Sequence, residues 1–133
     1  MSTRSRIGMM LSDGTIKSIY CHHDGDVESV GEALLNHYSD EDKVKELLLF
    51  GNLSVLEQNI YPEGEHSFDN PEPDVCIFYS RDRGDVDEDA SIRSIDEYLN
   101  NTMIEYLYLY SGNEWSVYDC YEKDGWKKVE DLL

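Results

Sequence analysis

The sequence predicts an α+β domain, a mostly antiparallel β-sheet with two to three helices packed on one side. Three patterns point there. Asp13-Gly14 sits between two apolar runs, the signal of a tight hairpin. Val27, Val30, Leu34 and Tyr38 recur at helical spacing. Tyr106, Tyr108 and Tyr110 alternate with Leu107 and Leu109; Ser111-Gly112-Asn113 then turns the chain, and Trp115 to Asp119 runs back. Strands joined by hairpins lie antiparallel, so the sheet follows from the turns.

Taken in order, residues 4–11 and 16–22 read as the first two strands. Residues 27–38 form a helix, with Asp24 or Asp26 available to cap it. Ser39 and Asp40 can cap a second helix, Ser39 with Asp42 resembling a capping box, and its stripe is Val44, Leu47, Leu48 and Phe50. Gly51 is placed to stop it. Residues 52–60 fit a short helix or a turn. Residues 61–74 hold all three prolines and five acids and read as an exposed acidic loop. Val75 to Tyr79, VCIFY, is a short strand, and residues 80–90 a second exposed charged loop. Ser94 and Glu97 form a capping box for a helix ending near Asn100. Lys123-Asp124-Gly125 turns the chain into Trp126. The whole of 1–133 reads as a single domain, a length that buries a core without staples and exposes roughly 7,000 Å².

The net charge is −18, from 29 acids against 11 Lys and Arg. Such a field repels nucleic acid and anionic lipid, and it attracts basic partners. Charge is also uneven. Residues 46–80 carry seven acids and residues 94–122 carry six, with no Lys or Arg in either stretch. Ion pairs cannot form inside those stretches, so they offer single-sign surface. Cys21, Cys76 and Cys120 are sparse and odd in number, with no CxxC pair, which fits reduced, buried thiols. No run approaches the ~20 apolar residues that span a bilayer, and residues 1–14 lack the apolar core of a signal peptide.

Three constellations carry chemistry. Cys21-His22-His23-Asp24-Gly25 closes the second strand. Adjacent strand residues face opposite ways, so both histidines reach one site only if the chain bends there. Arg81 and Arg83 lie two apart, on one side of an extended chain, where they can clamp a phosphate or carboxylate. Asp85-Val86-Asp87-Glu88-Asp89 has some look of a calcium loop but lacks its closing Glu, so no metal or other cofactor is implied.

The segments Met1-Ser2-Thr3-Arg4-Ser5-Arg6-Ile7-Gly8, Ile19-Tyr20-Cys21-His22, Gly31 with Leu34-Leu35-Asn36-His37-Tyr38, and Arg81-Asp82-Arg83-Gly84 together resemble a family of small, mostly uncharacterised bacteriophage proteins. In that family the strand-end motif reads close to CHWDGYPE; here it is Cys21-His22-His23-Asp24-Gly25-Asp26-Val27-Glu28. The resemblance implies phage origin and action in the cytoplasm of an infected bacterium. It also implies a class rich in antagonists of host defence, anti-CRISPR proteins and other DNA mimics among them.

Two functions follow. The first is a non-enzymatic inhibitor that docks an acidic, tyrosine-rich face on a basic, nucleic-acid-binding surface of a host protein. Its contacts would be Asp82, Asp85, Asp87, Glu88 and Asp89, with Glu63, Glu65, Asp69, Glu72 and Asp74 as a second patch. The second is a protein that binds or processes a small ligand or nucleotide, in a pocket of His22, Asp24, His37, Arg81 and Arg83.

Overall fold

A computed structural model describes residues 3–100 and 103–133; Met1 and Ser2 of the family-like segment lie outside the described residues. The fold is α+β. A mixed sheet takes β1 (Ser5–Met10), β2 (Ile16–Cys21), β3 (Leu53–Val55), β4 (Ile77–Phe78), β5 (Ser91–Arg93), β6 (Tyr106–Ser111), β7 (Glu114–Asp119) and β8 (Trp126–Lys128). The order is β4-β3-β2-β1-β6-β7-β8, with β5 sharing the outer edge of β2. Both hairpins form where their turns predict, with Ile7 opposite Ile19 and Tyr108 opposite Val117. The β1–β6 and β2–β3 pairs are parallel, and the other pairs antiparallel.

The period-2 rule sorts the sheet into two faces. Ile7, Met9, Ile19, Cys21, Tyr108, Tyr110, Trp115 and Val117 face one way. They meet a helix whose first turn, Val27–Gly31, is π-helical and which continues as α1 (Glu32–His37), and they meet α2 (Glu41–Leu49). Ile16, Leu107 and Leu109 face the other way, under Tyr98 of α4 (Ile95–Leu99) and Trp126. Helices therefore cover both faces, not the single side expected: the chain between β5 and β6 must cross the second face, and α4 carries Tyr98 onto it.

Local chemistry explains the departures. Of the two expected caps, Asp40 is the one that caps α2, accepting from the Lys43 N–H at 2.8 Å, and the Ser39–Asp42 box does not form its start. Asp26 sits at the cap position of the Val27 helix without a side-chain cap bond. The VCIFY strand keeps only Ile77 and Phe78, because Tyr79 opens α3 (Tyr79–Arg83) inside the segment expected to be loop. Residues 52–60 contain β3 instead of a helix.

Four of the ten tyrosines, Tyr38, Tyr98, Tyr108 and Tyr110, are buried, and their hydroxyls are satisfied as burial requires. Tyr38 donates to Glu57 O at 2.7 Å, Tyr98 to Tyr108 O at 2.8 Å and Tyr108 to Gly25 O at 2.6 Å. The last two tie α4 and the 22–26 bend to the sheet. The other six tyrosines are half-buried or exposed.

Candidate functional site

The second face of the sheet is left open beside α4, and a cleft of about 600 Å³ occupies that gap. Arg6, Tyr20 and His22 enter it from alternate positions on one side of β1 and β2 and beyond. His23 enters as well. Strand β2 ends at Cys21 and Asp24 takes a left-handed φ of 56°, so the bend that two adjacent histidines require is present. Their rings meet edge to face, 4.6 Å between centroids. Asn52 and Ser54 come from β3 and its lead-in, Tyr79 and Arg83 from α3, and Phe68 and Glu88 from the flanking loops.

Arg6 is the anomaly of the site. Only 8% of it is exposed, yet its partners are neutral: Nε to Ser18 Oγ at 3.0 Å, Nη2 to Ser91 Oγ at 3.0 Å and to Ser18 O at 3.3 Å. Among the described residues no carboxylate lies in ion-pair range of it. Burial, and then the field of Arg93, depress its pKa. A buried cation without a counter-charge costs several kcal/mol. In a chain of net charge −18 there is no shortage of carboxylates to offset it, so the gap is specific to this position.

Burial, His23 and Arg4 hold the His22 pKa below its ordinary value, so the ring is neutral at pH 7. Burial raises the Tyr20 phenol, which stays protonated and shares a hydrogen bond of 2.7 Å with His22 Nδ1. Arg83 forks onto Asp85, with contacts of 2.6 and 3.1 Å, and lies over the rings of Phe68 and Tyr79. Arg6 and Arg83 thus line one cleft, and the charges of Arg93 and Arg4 are felt at Arg6 and His22.

Of the residues expected in a ligand pocket, His22 and Arg83 are in the cleft; Asp24, His37 and Arg81 are not. Asp24 is exposed in the bend. His37 lines a separate groove with Glu28, Glu32, Glu57 and Asp74. Arg81 is a brace. It donates to Ile60 O at 2.6 Å and Cys76 O at 3.0 Å, pairs with Asp82 at 2.8 Å and packs over Phe50 and Phe78.

The acidic surface is also redistributed. Asp82, expected at the partner face, has a side chain only 3% exposed. It accepts from Phe78 N at 2.7 Å and from Arg81, and His66 Nε2 lies 3.2 Å away, outside hydrogen-bonding alignment. Four of the proposed contact acids are therefore structural. Besides Asp82, Asp85 holds Arg83, Glu88 accepts from Asn52 Nδ2 at 3.2 Å, and Glu72 accepts the Glu63 and Gly64 N–H groups. Glu63, Glu65, Asp69, Asp74, Asp87 and Asp89 remain exposed. The 61–74 loop is likewise no loose segment, because His66 is buried at its centre and accepts the Glu72 N–H at Nδ1.

Arg6, His23, Asn52 and the ring pair of Phe68 and Tyr79 were not anticipated. One signal was available for Arg6. It stands between Ser5 and Ile7 inside a strand of buried residues, where a lone arginine has no ordinary reason to be. Cys21 is fully buried and its thiol is pushed up to about 12, which removes it as a nucleophile. Among the described residues no three His, Cys, Asp or Glu side chains gather as a metal requires, the Asp85–Asp89 run included, and no helix is long and apolar enough to cross a membrane. Comparison with protein-family models, with curated proteins and with solved structures finds no match.

Proposed function

We propose that the protein binds and sequesters a small anionic ligand in the arginine cleft. The observation that carries this is Arg6, a buried guanidinium at the cleft wall held only by serine groups. A phosphate or carboxylate is the counter-charge it lacks, and Nη1, the guanidinium nitrogen not already donating to the serines, is the one left to donate to it. His22 adds a neutral imidazole to the lining. No general base, nucleophile and oxyanion donors converge here, so the reading is of a binder. In the phage setting that the sequence resembles, such a protein would withdraw a small anionic signal from the host.

The test uses Arg6→Met with wild type. Inorganic phosphate, pyrophosphate and phosphate monoesters should raise the wild-type melting temperature. Without anion the variant should melt within a few degrees of wild type, because losing an uncompensated charge offsets losing its hydrogen bonds. It should bind the same anions at least about tenfold more weakly, the worth of one charge-assisted pair. An undiminished anion response in Arg6→Met would refute the assignment.

A second reading has its own observation. Glu57 is pushed above the ordinary carboxylate value by burial and then by Asp74 and Asp24. Glu57 and Asp74, with Glu28 and Glu32, border a groove that has no Lys or Arg in its lining. Such a groove suits a basic segment of a partner protein, the docking expected of an acidic inhibitor. An oligo-arginine peptide should bind it, and should lose at least about tenfold in affinity between about 50 and about 500 mM salt as screening shortens. Salt-independent binding, or binding undisturbed in Glu57→Gln with Asp74→Asn, would dismiss it.

A further inference from the structure

We infer that the cleft is shaped for a mononucleotide, its phosphate at Arg6 and its base against Phe68 and Tyr79, and that it favours a base rich in N–H donors, guanine over adenine. This deepens the anion-binding reading and rests on it.

Two chemistries line the cleft. Arg6, His22 and His23 supply one, with the charge of Arg4 felt at His22 and that of Arg93 at Arg6. Phe68 and Tyr79 supply the other, 5.8 Å apart with planes inclined by 31°. The Arg83 guanidinium sits 4.5 Å from one ring and 4.8 Å from the other. Asp85 locks that guanidinium by two contacts, so the flat cluster is set before any ligand arrives. Aromatic rings and guanidinium planes are the surfaces on which bases stack. A volume of about 600 Å³ falls within the range of small-ligand sites, about 300–1,000 Å³.

Glu88 refines the choice. It lines the cleft, and its charge is felt by both Tyr79 and Arg83. One oxygen accepts from Asn52 Nδ2 at 3.2 Å. A carboxylate has about four acceptor positions, so capacity remains. An acceptor selects rings that offer N–H groups. Guanine presents a ring N–H beside an amine on one edge, whereas adenine pairs its amine with a bare ring nitrogen. A long nucleic acid would meet the repulsion of a −18 protein along its whole length, and a mononucleotide would not.

Calorimetry on the full chain with guanosine monophosphate, adenosine monophosphate, guanosine and inorganic phosphate separates the claims. Guanosine monophosphate should bind at least about tenfold more tightly than phosphate or guanosine, the increment that stacking adds per base. Phe68→Ala should cost about tenfold toward the nucleotide and nothing toward phosphate. Glu88→Gln should narrow the preference for guanine. If the nucleotide binds no better than phosphate in wild type, the ring subsite is overturned while anion binding stands. Equal affinity for the two nucleotides overturns the role given to Glu88. If neither phosphate nor any nucleotide binds, both readings fall together.

Discussion

Asp82→Asn should destabilise the protein by about 3 kcal/mol, the usual cost of breaking a buried charged pair from one side. Asp82 accepts from three donors, the Phe78 N–H at 2.7 Å and the Arg81 Nε at 2.8 Å and Nη2 at 3.2 Å, with His66 Nε2 3.2 Å away but out of alignment. An amide keeps one oxygen for them and turns an NH2 toward the rest, so donor meets donor in a nearly dry site. For a chain of this length the loss corresponds to a drop in melting temperature of roughly 10 °C. Asp87→Asn and Asp89→Asn, on exposed carboxylates in the next segment, should change stability by less than about 0.5 kcal/mol. Equal, small effects at all three positions would mean that the network is not formed.

The same carboxylate sets a pH dependence. Burial pushes its pKa up, but hydrogen bonds from Arg81 and Phe78 N and the approach of His66 outweigh that, so the folded group titrates below the ordinary 3.8. As pH falls the unfolded chain takes up its proton first. The contribution of Asp82 is therefore complete above pH 3.8 and is lost as pH falls through the lower folded value. Wild type should lose stability steeply below about pH 4, and Asp82→Asn should flatten that slope. The consequence reaches the cleft, because Phe68 N donates to Asp82 O at 3.0 Å and Tyr79 and Arg83 share its helix. A weakened hub should cost ligand affinity as well as stability.

Much of the fold was legible because its signals are local. Asp13-Gly14, Ser111-Gly112-Asn113 and the Ser94–Glu97 box each act within a few residues, and each structure formed in place. What stayed hidden is non-local. The parallel pairing of β1 with β6 joins Ser5 to Tyr106, and no turn between them announces it. Strand β3 touches β2 at Cys21 alone, too short a contact for alternation to register. The site was obscured for the same reason. The arginines at 4–6 and 81–83 stand far apart in sequence, and only the central place of β1 and the early start of α3 bring Arg6 and Arg83 to one cleft. Arg81 was read as a ligand clamp and Asp82 as a partner contact because sequence does not show that each is the other's partner.

Gly51→Ala should cost about 3 kcal/mol, and its cause differs in kind. Gly51 ends α2 with φ of 79°, where any Cβ is strained by about 1 kcal/mol. A Cβ there would also stand 2.1 Å from Glu88 O and 3.0 Å from Glu88 C, which are backbone atoms without a rotamer to change. The 85–90 segment must then retreat. With it go the bond from Asn52 N to Glu88 O at 2.8 Å and the bond from Asn52 Nδ2 to the Glu88 carboxylate, each worth about 1 kcal/mol. Gly14→Ala is the control. Its φ is 86°, but nothing lies within 4 Å of the added carbon, so only the backbone strain of about 1 kcal/mol should appear. The difference between the two variants, read from denaturant melts, isolates the approach of Glu88 to the end of α2. Because Asn52 Oδ1 also accepts the Tyr20 N–H at 2.8 Å, moving Glu88 should loosen the cleft floor and weaken anion binding in Gly51→Ala, while Gly14→Ala binds as wild type does. If the two alanine variants lose equal stability, the contact between Gly51 and Glu88 does not exist in solution, and the position assigned to Glu88 in the cleft goes with it.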